Sequence, residues 1–115
     1  MNHLFLSFTK KGDPLSNTKP IEVNSSKEFR EGLVQTERDL LDFEKKYGAE
    51  RVLESIKAQL KYLKEWTSKG EDIKDPKLRD INMGIMASHY IESEDPNLSM
   101  NITMLSYYVS QKIDD

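Results

Sequence analysis

A chain of 115 residues that is 37% apolar and 32% charged suits one globular domain with one core. It has no cysteine, which excludes disulfides, thiolate nucleophiles and cysteine zinc sites and fits a reducing cytoplasm. No apolar run approaches the ~18 residues of a membrane span, and Met1–Phe8 lacks the basic segment of a signal peptide.

The formal charge of −3 is unevenly spread: residues 1–24 and 25–70 each carry +1, and residues 71–115 carry −5. An acidic half repels nucleic acid and anionic membrane and suits a basic protein surface.

Residues 1–24 read as an arm. His3–Phe8 alternates imperfectly, Gly12-Asp13-Pro14 is turn chemistry, and Ile21-Glu22-Val23 is a second extended piece. A small two-stranded β-ribbon would need something to pack on, so an ordered arm and a frayed tail both stay open. Residues 25–115 read as an all-α domain, an antiparallel bundle of four main helices. The first helix opens on the capping box Ser25-Ser26-Lys27-Glu28. It carries Phe29, Leu33, Thr36, Leu40, Phe43 and Tyr47 at helical spacing, and stops at Gly48 in a left-handed cap. The second runs from about Ala49 to Lys69 on a stripe of Val52, Leu53, Ile56, Leu60 and Leu63. So short a break predicts a hairpin. Tyr62 and Trp66 fall off the centre of that stripe, where they either cover another helix or meet a partner.

Gly70–Lys74 is a linker. Asp75-Pro76 then starts a third helix, Lys77 to about Ile91. Its stretch Ile81–Ile91 has no Asp, Glu, Lys or Arg. A helix apolar all round is buried all round, so this one is expected at the centre, with Leu78, Ile81, Ile85 and His89 on one side. On that placement Ile85→Asp should unfold the protein, and His89 is a hydrogen-bonded core histidine. Gly84, Ala87 and Ser88 would let a neighbour approach closely. Asp95-Pro96 repeats the same start for a fourth helix ending near Ile113. Leu98, Ile102, Leu105, Val109 and Ile113 form its core stripe; Met100, Met104 and Tyr107 lie nearly opposite. That second stripe is either an interface or packing against the arm or the third helix.

Chemistry is thin. There is no phosphate loop and no nucleophile with a local base, and two histidines without partners make no metal site. No cofactor and no catalysis are expected. Glu92, Glu94 and Asp95 form a short acidic run whose Asp is needed as a helix cap. That favours a solvated or partner-binding loop over an acid–base pair. Lys57, Lys61 and Lys64 read as a solvated face rather than a nucleic-acid site.

Across about Ser26–Val109 the order of segments carries a resemblance. These are Lys57-Ala-Gln-Leu-Lys-Tyr-Leu63, Ile81-Asn-Met-Gly-Ile-Met-Ala, Tyr90-Ile-Glu-Ser-Glu-Asp-Pro-Asn-Leu98 and Leu105-Ser-Tyr-Tyr-Val109. The chain resembles the small all-helical immunity proteins that protect bacteria from a type VI secretion effector that hydrolyses NAD(P). The resemblance implies a non-catalytic cytoplasmic inhibitor whose partner is a cognate toxin. Partner-binding residues would then be drawn from Glu92, Glu94, Asp95, Asn97, Met100, Met104, Tyr107, Tyr62 and Trp66. The acidic loop would enter a cleft built for a dinucleotide pyrophosphate. The competing reading is a helical adaptor or self-associating regulatory subunit, a homo-oligomer through the Met100, Met104 and Tyr107 stripe.

Overall fold

A computed structural model describes residues 18–113. Its elements are α1 (Ser26–Tyr47), α2 (Arg51–Ser68), a 3-10 turn (Pro76–Asp80), α3 (Met83–Tyr90) and α4 (Pro96–Ile113). The described residues contain no strand, and the chain is an all-α bundle of four helices. The expected alternation at His3–Phe8 and the turn at Gly12-Asp13-Pro14 lie outside the described residues.

Helix α1 forms where its capping chemistry places it. The Ser25 hydroxyl accepts the Glu28 amide at 3.1 Å, and Glu28 reaches back to the Asn24 amide at 2.7 Å. Phe29, Leu33, Thr36, Leu40 and Phe43 are buried, as their spacing predicts; Tyr47 is not. Gly48 ends the helix at φ +97°, ψ 154°. That is beyond the left-handed helical region expected and is open only to glycine. Helix α2 returns alongside α1 with Leu53, Ile56, Leu60, Leu63 and Trp66 buried. Trp66 packs edge-on to Phe29 at 6.0 Å, and Tyr108 of α4 stacks on that ring at 4.2 Å. This aromatic cluster closes the α1/α2/α4 end of the core.

The expected long central helix is instead a 3-10 turn, a break and an eight-residue α3. The break is made from α2. The side-chain amide of Gln59 accepts the Asn82 backbone N–H at 2.9 Å and donates to the Asn82 side chain at 2.8 Å. Asn82 is thereby held out of helical conformation (φ −135°, ψ 19°). Helix α3 then buries its small face, Gly84 and Ala87, with Met83, and Ile91 just beyond. At Gly84 the backbones of α3 and α4 come so close that a Cβ would meet the Thr103 Cα at 3.3 Å. Ile85, His89 and Tyr90 are turned outward. Ile85 is 66% exposed, and His89, Tyr90 and Ser88 are exposed too. The expectations of a buried Ile85 and a core His89 are therefore corrected, and with them the expectation that Ile85→Asp would unfold the chain.

The described part of the arm, residues 18–24, pairs with side chains rather than with a strand. Asn101, fully buried on α4, accepts the Ile21 N–H at 3.0 Å and donates to the Lys19 carbonyl at 2.9 Å. Asn97 donates to the Thr18 carbonyl at 2.8 Å, and Gln35 of α1 donates to Lys19 at 2.9 Å. Ile21 joins the core beside Gly32 and Leu105. Two asparagines do the work a neighbouring strand would do, which leaves buried backbone groups satisfied.

Candidate functional site

The antiparallel connections bring three segments to one end of the bundle: the end of α1, the start of α2 and the loop between α3 and α4. The loop is tightly wound. Ala87 O accepts both the Ile91 and Glu92 amides, at 2.9 and 3.1 Å, and Ile91 O accepts those of Glu94 and Asp95, at 3.0 and 2.9 Å. Glu92 and Glu94 are therefore carried outward on a fixed backbone, both exposed, with Ser93 donating to Glu94 at 2.7 Å. Asp95 faces inward. It is 9% exposed, caps α4 by accepting the Leu98 amide at 3.1 Å, and accepts the Thr18 hydroxyl.

Two adjoining clefts open here. One, of about 110 Å³, is lined by Asp39, Asp42 and Tyr47 of α1 together with Glu94 and Asp95. The other, of about 250 Å³, lies between Tyr47 and Tyr90 over Phe43, Val52 and Leu53, with Glu50 and Glu94 at its edge. Lys46 is the one basic side chain among the described residues lining either cleft, and its ammonium lies 5.4 Å from the centre of the Tyr47 ring. Carboxylates from α1 and from the loop feel one another. Burial, and then the charges of Asp42 and Asp95, push the Asp39 carboxyl above its ordinary value, against a hydrogen bond from Gln35 and the charge of Arg38. The end of the bundle is thus an anionic surface with two exposed tyrosines, 43% for Tyr47 and 58% for Tyr90. That is a combination suited to cationic groups of a protein partner. Among the described residues no group of three His, Asp or Glu side chains is placed to hold a metal ion.

The residues singled out from sequence separate into three places. Glu92, Glu94 and Asp95 are at this end. Met100 and Tyr107 are exposed on the outer side of α4, with Met104 half-buried. Tyr62 and Trp66 sit toward the other end of α2, about 20 Å from its start at 1.5 Å per residue. Burial takes Trp66 (4% exposed) and Asn97 (3%) off the surface; the Trp66 indole donates to the Asp72 carbonyl at 2.9 Å. Tyr62 is half-buried against Asp75, and burial first, then that carboxylate, hold its phenol above the ordinary value. Asp39, Asp42, Tyr47 and Tyr90 were not picked out from sequence as surface groups. The available signal was the hairpin at Gly48, which returns the flank of α1 to the same end as the acidic loop.

Among protein families, the Tsi6 profile matches residues 24–111. Nothing matches among curated proteins or among solved structures.

Proposed function

Since this chain belongs to the Tsi6 family of type VI secretion immunity proteins, we propose that it neutralises a cognate NAD(P)-hydrolysing toxin in the cytoplasm by seating its acidic end in the toxin's substrate cleft. Members of that family give immunity to the NAD-hydrolase toxin Tse6. An enzyme that holds a dinucleotide presents cationic groups or helix N-termini to its pyrophosphate. A rigid anionic knob would satisfy those groups and exclude the substrate without performing any chemistry itself. The observation that carries this reading is the convergence of Glu94 with Asp39, Asp42 and the exposed rings of Tyr47 and Tyr90 on one end of the bundle, with Glu92 exposed on the same loop.

The test is an NAD-hydrolysis assay on the cognate toxin domain. One equivalent of this chain should abolish turnover, and the double variant Glu92→Lys, Glu94→Lys should fail to do so while keeping its helical circular dichroism. Full inhibition by the variant would remove the acidic end from the interface. Asp95 is left untouched in this test because its carboxylate caps α4, and changing it would mix stability with binding.

A further inference from the structure

The outer surface of α3 and α4 differs from the rest of the molecule. Between Ile81 and Gln111 the only Asp, Glu, Lys or Arg side chains are Glu92, Glu94 and Asp95, all in the loop between the helices. The exposed positions of α1 and α2, by contrast, are dense in Lys, Arg, Asp and Glu. In place of charge, α3 shows Ile85 at 66% exposure and α4 shows Met100 at 39% and Tyr107 at 62%. Charge depletion with Tyr and Met in its place is the composition of an interface core.

The shape is as informative as the composition. The two helices touch at Gly84, and the short side chains of Ser88, Thr103 and Ser106 beside the contact leave an open groove of about 360 Å³. Ile85 and Tyr107 line the same groove. The Tyr107 hydroxyl is held by the Gln111 side chain at 3.1 Å, which limits the ring's freedom before anything binds. A hollow thus lies beside its own protruding side chains.

We propose that this face docks a second copy of the chain, with Ile85 and Tyr107 of each copy entering the groove of the other about a two-fold axis. A two-fold axis demands one patch that is complementary to itself, and a hollow flanked by knobs meets that condition. Charge selects the same face. Each copy carries −3, so pairing through the acidic end would set like charges together, whereas pairing here desolvates no ionised group. The extent is modest. Helix α4 has 18 residues and α3 eight, hence about 27 and 12 Å of length, and two helices 8–10 Å apart offer roughly 350 Å² per copy. That falls below the ~800 Å² of a standard half-interface, so the dimer forms and dissociates with concentration. The acidic end is left free, and the toxin reading stands or falls separately.

Sedimentation velocity of the full chain from micromolar to millimolar concentration tests this. The expected result is a reversible monomer–dimer equilibrium that Tyr107→Arg and, separately, Ile85→Arg each weaken by about tenfold or more. Helical circular dichroism and melting should not change, and Glu92→Lys, Glu94→Lys should leave the equilibrium as it was. A chain that stays monomeric throughout, or a dimer indifferent to both arginine variants, overturns the proposal. So does a monomer whose arginine variants lose toxin inhibition, since the face would then belong to the toxin.

Discussion

Glu71 stands in a left-handed backbone conformation, φ +59°, immediately after Gly70 at φ +96°. For a residue with a Cβ that conformation costs roughly 1–2 kcal/mol, so the side chain must offset it. Its carboxylate accepts Thr67 at 2.7 Å, Tyr108 at 2.9 Å and Ser26 at 3.0 Å, with Lys112 at 3.5 Å. One residue therefore ties the end of α2 to the start of α1 and the end of α4. Burial pushes this carboxyl up, but those hydrogen bonds and the Lys112 charge outweigh it and hold the pKa below the ordinary value. A carboxylate depressed in the folded state stabilises the fold above the unfolded-state pKa, and that contribution is lost as pH falls through the folded one. Glu71→Gln should cost about 1–3 kcal/mol at neutral pH. In urea titrations the gap to the parent should narrow below about pH 4; a gap independent of pH would mean the charge is not what matters. None of this was legible at Glu71, which reads as linker, because its partners lie at positions 26, 67, 108 and 112. Ile85 failed for a related reason. Its pattern predicts burial only on an unbroken third helix, and the break at Asn82 is imposed by a glutamine 23 residues before it.

At the level of elements, the long periodic helices were legible and the short ones were not. Residues 26–47, 51–68 and 96–113 each carry an apolar stripe over four turns or more, and caps at Ser25, Gly48 and Asp95 mark their ends. The third element is apolar on every side, so periodicity could not orient it. What oriented it was the smallness of Gly84 and Ala87, which allows α3 to lie closer to α4 than its bulkier faces would. The arm was undecided from sequence because Ile21 and Val23 look like a strand without a partner. Its partner is Asn101, a buried asparagine one turn beyond Asn97 on α4. Asn101→Ala should leave the Ile21 N–H without an acceptor and cost about 1–3 kcal/mol. Hydrogen exchange should localise the effect: the Ile21 amide should lose more protection than the amides of α2. Equal loss everywhere would mean the arm and the bundle open only together.

Over the whole molecule, charge is sorted by region. The α1–α2 hairpin is mixed, the outer α3–α4 surface is neutral, and the end that gathers Asp39, Asp42, Glu92 and Glu94 is anionic. The sequence located the acidic loop, but the α1 contribution needed the folded hairpin. This sorting gives the proposed toxin complex a kinetic signature. Exposed charges at the rim of an interface act over a Debye length, ~8 Å at physiological ionic strength, and chiefly raise the rate of encounter. Buried contacts made after docking chiefly set the rate of escape. In the free chain Glu92 and Glu94 are exposed on a wound backbone, so they steer the encounter before the cleft buries them. Stopped-flow association of this chain with its toxin should therefore slow steeply as salt rises. Glu92→Lys, Glu94→Lys should slow it by about tenfold or more at low salt and flatten the salt slope. Tyr47→Ala and Tyr90→Ala, at the aromatic cleft beside those carboxylates, should instead leave association nearly unchanged and speed dissociation, because rings contribute once they are desolvated. Should the lysine variant leave the association rate and its salt slope unchanged, the carboxylates would grip the toxin without steering toward it.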